Sequence, residues 1–297
     1  MNLAVIIINW NQATATIRCV NSLLAWTHAA PEVWVVDNAS TDNSRELIPR
    51  SCPAISYIYN DVNQGFAGGN NTALRKIVSS KAEAVLLLNN DAVITEEHAL
   101  RLLTALRENP RLGVLGPLLE ERHGNKRIVL AGGRDISRHL FTRRIHPVTV
   151  KAPADSFFSV DYVPGTVAMI RAELFRTIGL LDETYFFSGE LADFCRRAQS
   201  AGWMCGICPQ SIAVHEPGAG AIRSTLYRYY TLRNRFLFVR RHEKAWRRLF
   251  AFWIVCGVLM AAEACVRGQP AQARAAWLAM RDGLAGRFGN RNELFGA

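Results

Sequence analysis

The stretch Val85-Leu86-Leu87-Leu88-Asn89-Asn90-Asp91 decides the fold. Four apolar residues in a row read as a strand buried on both faces, as in a parallel sheet covered by helices. The run ends in three short side chains that all carry oxygen. Open α/β sheets bind ligands at that carboxyl edge. Carboxylate and carbonyl oxygens there suit a hard divalent cation such as Mg²⁺ or Mn²⁺, which in turn can hold a diphosphate. Asn and Asp are also common turn residues, so the tripeptide takes its meaning from the rest of the chain.

Upstream, the same pattern recurs. Leu3–Ile8 is an apolar, β-branched run ending in Asn9-Trp10-Asn11. A helix over about Thr14–Trp26 and a strand over Glu32–Val36 follow, and that strand ends in the polar run Asp37 to Ser44. A third strand, Ile55–Tyr59, leads into Asn63-Gln64-Gly65-Phe66-Ala67-Gly68-Gly69-Asn70-Asn71. Its glycines let backbone approach a ligand closely, with a helix expected from about Asn70 to Ser79. This β-α-β-α order predicts a doubly wound α/β domain. Downstream, Glu96–Glu108 is a helix stopped by Asn109-Pro110. Short strands are expected at Gly113–Leu118 and Arg127–Leu130, then a basic, His-containing loop without evident chemistry. A glycine turn at Gly165 feeds a strand, and Glu173–Ile178 is a short helix. Glu190 and Asp193 lie three apart near the start of a further helix and so share a face. Acidic residues there can also simply complement the helix dipole. The strand Met204–Cys208 leads to Ala213-Val214-His215-Glu216-Pro217-Gly218, where His215 reads as a metal ligand or a surface histidine.

The chain has 297 residues and seven cysteines without regular spacing. Nearly half of it is apolar, which excludes a disordered protein. Cys205 and Cys208 lack a second pair and read as structural thiols. Residues 2–8 lack the basic region of a secretory signal, so a cytosolic catalytic part is expected. Charge is unevenly placed. Residues 223–297 hold 14 Lys and Arg against 4 Asp and Glu, whereas residues 1–222 hold 21 of each. Residues 1–222 are therefore expected as the catalytic domain and 223–297 as a helical region. That region opens with a basic, aromatic helix over 223–248, followed by Leu249–Ala262, fourteen residues without a charge. A bilayer span needs about 20. An interfacial helix beside a polybasic stretch is expected, with a buried helical hairpin as the alternative.

Taken in order, five motifs resemble the family-2 glycosyltransferases of the GT-A fold, most closely the bacterial rhamnosyltransferase-like members. They are Val5-Ile6-Ile7-Ile8-Asn9-Trp10-Asn11, Val35-Val36-Asp37-Asn38-Ala39-Ser40-Thr41-Asp42, the Asn63–Asn71 glycine run, Leu87-Leu88-Asn89-Asn90-Asp91, and Gly165 through Arg197 with its Gly179-Leu180-Leu181-Asp182 turn. Tyr229-Tyr230-Thr231-Leu232-Arg233-Asn234-Arg235 looks like a later signature of the same family. The resemblance implies a GT-A fold, α/β and doubly wound with a mostly parallel mixed sheet, to which the charge pattern adds a C-terminal helical segment expected to associate with a membrane. It implies that Asn9, Asn11, Asp37, Gly68, Gly69, Asn70 and Asn90 form the nucleotide-sugar site. Asn89, Asp91 and His215 would hold a divalent cation, Mg²⁺ or Mn²⁺. Glu190 would be the general base, with Asp193 the alternative.

Two positions depart from the family pattern. Asn89 stands where an Asp is usual, so the cation meets one charge fewer. Leu191 stands where a second acid is usual, leaving Glu190-Leu191-Ala192-Asp193. The implied reaction is inverting transfer from dTDP-rhamnose or a UDP-sugar to a glycan or lipid-linked acceptor of a cell-envelope polysaccharide. The implied location is the cytoplasm or the cytoplasmic side of the bacterial inner membrane, with the protein peripheral or monotopic. A transferase-like protein that binds donor without turnover is an alternative. A dehydrogenase is disfavoured because no Gly-x-Gly-x-x-Gly follows Ile8. A nucleic-acid partner is not expected, since no such motif accompanies the basic helix.

Overall fold

The computed structural model describes residues 1–123, 126–139, 144–145, 156–216 and 221–296. Pro217 and Gly218, and much of the basic, His-containing loop, lie outside them. The chain opens with β1 (Leu3–Asn9), α1 (Ala13–Leu24), β2 (Glu32–Asn38), α2 (Ser44–Ser51), β3 (Ser56–Asn60), α3 (Gly65–Ile77) and β4 (Ala84–Asn89). These four strands pair in parallel in the order β3-β2-β1-β4. The apolar runs alternate between two cores. Val5, Ile7, Leu86 and Leu88 face α1 and α4 (Glu96–Glu108). Ala4, Ile6, Val85 and Leu87 face α3 and the later helices α5 (Ala172–Thr177) and α6 (Glu190–Ser200). Burial on both faces is why these strands read as unbroken apolar sequence.

Beyond β4 the sheet reverses. Strand β10 (Val167–Arg171) inserts antiparallel between β4 and β6 (Leu112–His123), with Met169 opposite Leu86. Strand β11 (Met204–His215) runs parallel to β6, and the short β5 (Ala92–Ile94) closes that edge antiparallel to β11. Strands β7 (Lys126–Leu130), β8 (Arg144–Ile145) and β9 (Phe158–Ser159) extend this half, making eleven strands among the described residues. Strands β6 and β11 are each several residues longer than their apolar runs suggest. Their polar ends are held by pairing with each other, a non-local constraint that periodicity does not carry. Cys205 and Cys208 are buried in β11.

Helix α3 begins at Gly65, five residues earlier than expected. Gly65 takes φ +68°, and the amides of Phe66 and Ala67 donate to the carbonyl of Phe186 at 2.7 and 3.4 Å. A carbonyl from a distant loop thus serves as acceptor for a helix start that has no side-chain cap. Gly68 and Gly69 consequently lie inside the helix and are buried. A Cβ on Gly68 would come 2.6 Å from that of Gln64, and one on Gly69 would come 3.0 Å from the Ile8 methyl. Close packing, rather than an open loop, is what these two glycines permit.

The last quarter folds as α7 (Ala221–His242), α8 (Trp246–Val266) and α9 (Pro270–Ala285) around a third core of Tyr229, Tyr230, Phe236, Phe250, Trp253 and Met280. Much of the basic, aromatic character of α7 is interior. Arg233 is fully buried, its guanidinium lying over the Tyr229 and Tyr230 rings and donating to the carbonyls of Gly289 (2.8 Å) and Tyr185 (3.2 Å). Arg235 is buried over Trp253 and donates to the Ile136 carbonyl at 2.8 Å.

Gly65→Ala is expected to destabilise the fold by about 2 kcal/mol or more, because a Cβ in the left-handed region would also meet the Phe186 carbonyl. Urea unfolding followed by circular dichroism reads this, and a wild-type midpoint would refute it.

Candidate active site

The carboxyl ends of β1, β2 and β4 are joined by one polar chain, buried at Thr16, Asn9 and Asp37. The Asn90 amide donates to Thr16 Oγ1 at 3.0 Å, and Thr16 donates to Asn9 Oδ1 at 2.7 Å. The Asn9 amide donates to Asp37 Oδ2 at 2.8 Å and to Ser40 Oγ at 3.0 Å. Asp37 also accepts from the Ser40 amide at 2.9 Å. Asn9 and Asp37 are both fully buried. Their polar atoms are spent inside the protein, as burial requires. Asn70 is likewise buried and donates to the Phe66 carbonyl at 2.9 Å. Asn11, by contrast, is exposed at φ +54°. Its Oδ1 accepts from the Thr41 and Asp42 amides at 2.7 and 3.3 Å, tying the β1–α1 loop to the β2–α2 loop.

Asn11 and Asp91 line one cleft of about 390 Å³ together with Gln12, Arg18, Asp42 and Glu216. Asp91 reaches it because the chain turns back after Asn89 into β5, which pairs with β11 and sets Ala92 beside His215. His215 Nε2 lies 3.4 Å from Asp91 Oδ1, and its Nδ1 lies 3.4 Å from Glu121 Oε1. Burial alone would lower the imidazole pKa, but hydrogen bonding to Asp91 and Glu121 outweighs it and lifts the value to about 9. Glu121 is a partner of His215 that the sequence reading missed. Its signal is the one used for Asp91, an apolar run (Val114 to Leu119) ending in acids. Asn89 ends β4 half-buried, its amide donating to the Thr166 carbonyl at 2.9 Å. A second cleft of about 470 Å³, bordered by Arg134, His139, Asp161 and Gln199, contains none of these residues.

Among the described residues no group of three His, Cys, Asp or Glu side chains is placed to hold a metal. Asp91 and His215 nevertheless fit a cation that takes its remaining ligands from a diphosphate. Mg²⁺ is commonly held by one or two carboxylates plus substrate phosphates. A carboxylate on the far nitrogen of a ligating imidazole, here Glu121, fixes the ring in the orientation a metal needs.

Glu190 and Asp193, both near the start of α6, have opposite surroundings. Asp193 is saturated. It accepts from Arg197 Nε at 2.8 Å and Tyr185 Oη at 3.3 Å, and its Oδ1 lies 2.7 Å from His242 Nε2. Burial alone would raise its pKa, but His242 and Arg197 together carry it below the usual carboxylate value. Glu190 is only 6% exposed, and its Oε2 has no hydrogen-bond partner. Burial pushes its pKa up to about 7. The loop before it is strained and firmly held. Phe186 and Ser188 take φ +62° and +69°. The Asn234 amide donates to the carbonyls of Tyr185, Phe187 and Ser188 at 3.0, 2.9 and 2.6 Å. The Tyr-Tyr-Thr-Leu-Arg-Asn-Arg signature of α7 is therefore the clamp of the Glu190 loop. On the other side Gly165 packs against Phe66 and Leu191, and its neighbour Thr166 is the residue bonded to Asn89. That contact sets the start of α6 beside the carboxyl edge of the sheet.

A mixed sheet between helical layers carries a polar cleft at its carboxyl edge, an arrangement shared with solved GT-A glycosyltransferases. The chain belongs to glycosyl transferase family 2, whose sequence profile matches residues 4–179. It is 28% identical over 239 residues to the low-salt glycan biosynthesis hexosyltransferase Agl10 of Haloferax volcanii, covering 80% of this chain and 75% of that one. It is 23% identical over 279 residues to the N-acetylglucosaminyl-diphospho-decaprenol L-rhamnosyltransferase of Mycobacterium tuberculosis, covering 86% and 90%. Among solved structures it resembles GalNAc-T7 with UDP, GalNAc and Mn²⁺, with a TM-score of 0.65 at 16% identity, covering 83% of this chain and 49% of that one.

The two carboxylates predict opposite stability effects. Asp193→Asn should cost about 3 kcal/mol by breaking a buried ion pair. Glu190 has a raised pKa, so the fold holds its proton more tightly than the unfolded chain does; the stability this gives is full below pH 4.5 and is lost as pH rises through 7. At pH 8, Glu190→Gln should therefore gain up to about 3 kcal/mol. Thermal unfolding of both variants at pH 8 tests this, and a destabilised Glu190→Gln contradicts it.

Proposed function

We propose that the chain moves a sugar, with inversion, from a nucleoside diphosphate donor to a hydroxyl of a lipid-linked glycan at the cytoplasmic face of a bacterial inner membrane. The observation that carries the reading is Glu190, a buried carboxyl with an unpartnered oxygen and a pKa near 7 beside the carboxyl edge. Saturated Asp193 is unsuited to accept a proton, so the base is Glu190. A base with a pKa near the working pH is matched to general base catalysis.

The donor binds along the cleft that holds Asn11 and Asp91. Asn9, Asp37 and Asn90 shape it from beneath by fixing the strand ends, while Gly68, Gly69 and Asn70 pack α3 against β1. Asp91 and His215, with Asn89 nearby on the same turn, are the residues that would hold Mg²⁺ or Mn²⁺. When bound, such a cation neutralises charge growing on the leaving diphosphate. Glu121 orients His215. Glu190 takes the proton from the acceptor hydroxyl onto its carboxylate as that oxygen attacks the anomeric carbon from the face opposite the diphosphate. The donor is dTDP-rhamnose or a UDP-sugar, and the relatives named above point to rhamnosyl or hexosyl transfer. The M. tuberculosis relative's name supplies a first acceptor to try, an N-acetylglucosaminyl-diphospho-polyprenol.

Transfer from a panel of dTDP- and UDP-sugars to that acceptor tests the reading, and absence of turnover with tight nucleotide binding would leave only a donor-binding protein. Glu190→Gln should lower turnover by about 10²–10⁴ while nucleotide affinity stays within about threefold. Since the base must be deprotonated, wild-type kcat/KM should fall as pH drops through about 7. An acid limb near 4.5 would remove Glu190 from the role. Asp91→Ala should abolish the gain in dTDP affinity produced by Mn²⁺. Glu121→Gln should weaken Mn²⁺ binding about 10- to 100-fold, and titration calorimetry distinguishes the two.

A further inference from the structure

We propose that α8 lies flat on an anionic lipid bilayer, with Phe252, Val255, Leu259 and Val266 immersed and the basic N-terminal end of the helix on the headgroups. The benefit to a lipid-linked acceptor rests on the function proposed above, but the surface itself is carried by the geometry of the helix.

Helix α8 is apolar on two opposite faces. One face, through Phe250, Trp253, Cys256, Gly257, Ala261 and Ala264, packs into the third core, and Trp253 Nε1 donates to the Ser137 carbonyl at 2.9 Å. The other face should be polar if water were its partner. Instead Phe252, Val255, Leu259 and Val266 recur at spacings of three, four and seven and stand 42, 57, 64 and 90% exposed. Over an 18-residue stretch of α8 mean hydropathy reaches 2.2, although only 33% of that stretch is buried. From Leu249 to Ala262 no charge interrupts the stripe. An apolar surface of this extent marks a protein or membrane contact.

The surroundings choose lipid. Lys244, Arg247 and Arg248 are exposed at the start of the helix. Arg267, at the far end, pairs at 3.0 Å with Glu263. Residues 223–297 hold 14 basic against 4 acidic residues. A two-fold antiparallel pair would set these cations against the far end, where Glu263 is already paired with Arg267, whereas anionic headgroups complement them. A transmembrane arrangement is excluded by the neighbours. Helices α7 and α9 pack on α8 and carry Arg228, Arg240, Arg274 and Arg281, which a span would draw into hydrocarbon. Laid flat, residues 252–266 cover about 21 Å at 1.5 Å per residue. The same three helices hold the Glu190 loop through Asn234, so a docked α8 would fix the orientation of the active site to the membrane.

The test is sedimentation of the full chain with vesicles of phosphatidylcholine and phosphatidylglycerol at about 70:30, in low salt. Wild type should pellet with them and bind pure phosphatidylcholine at least tenfold more weakly. Phe252→Asp with Leu259→Asp should lower partition into the mixed vesicles at least tenfold while thermal stability and dTDP affinity stay at wild-type values. Arg247→Ala with Arg248→Ala should lower it only where phosphatidylglycerol is present. The proposal falls if wild type does not pellet, or if the aspartate variant, folded by circular dichroism, pellets as wild type does. It also falls if light scattering without lipid shows a dimer that the aspartate variant dissociates. Vesicle binding without sugar transfer from any donor would sink the proposed function and leave the docking surface standing.

Discussion

Two strands of this protein, β1 and β2, end in polar side chains buried at the edge of an apolar sheet, a third is followed by half-buried Asn90, and the buried groups need partners. The chain Asn90 to Thr16 to Asn9 to Asp37 meets that need and in doing so welds the ends of β4, β1 and β2 together. Removing Thr16 or Asn9 leaves a buried neighbour without its partner, which makes the middle of the network costly to break. Its consequence is a rigid rim from which Asn11 and Asp91 face one cleft.

A second constraint comes from outside the sheet. The Glu190 loop carries backbone strain at Phe186 and Ser188, and its carbonyls accept from side chains outside the segment. Helix α7 satisfies them through Asn234 and Arg233, and the Phe186 carbonyl in turn starts α3. The C-terminal helices are therefore part of the scaffold of the candidate site. The unequal fates of Glu190 and Asp193 follow from the same packing. The face that meets Arg197, Tyr185 and His242 is neutralised, and the residue one turn earlier is left buried without a counter-charge.

Strands β1 to β4 and helices α1 and α4 were legible because their burial is local and periodic. Strands β1 to β4 fall within two residues of expectation, and α4 matches it. Legibility failed where a distant segment sets the boundary. Helix α3 starts at Gly65 because of Phe186, and β6 and β11 run on past their apolar cores because they pair with each other. Glu121 was passed over for that reason, since only the register of those two strands sets it beside His215. The aromatic and basic pattern of α7 showed its composition but not that Arg233 and Arg235 point inward, where rings and carbonyls replace water around the guanidinium.

Sequence alone determined the alternating architecture, the family resemblance and the concentration of positive charge in the last quarter. These follow from apolar periodicity and residue type, which are properties of short windows. Tertiary structure alone decided which of two neighbouring carboxylates is saturated. It also decided that His215 stands between Asp91 and Glu121, and that α8 keeps one apolar face for the core and one for the outside. Each of these depends on what a side chain meets across the fold, and the energies of burial and pairing are set by those meetings.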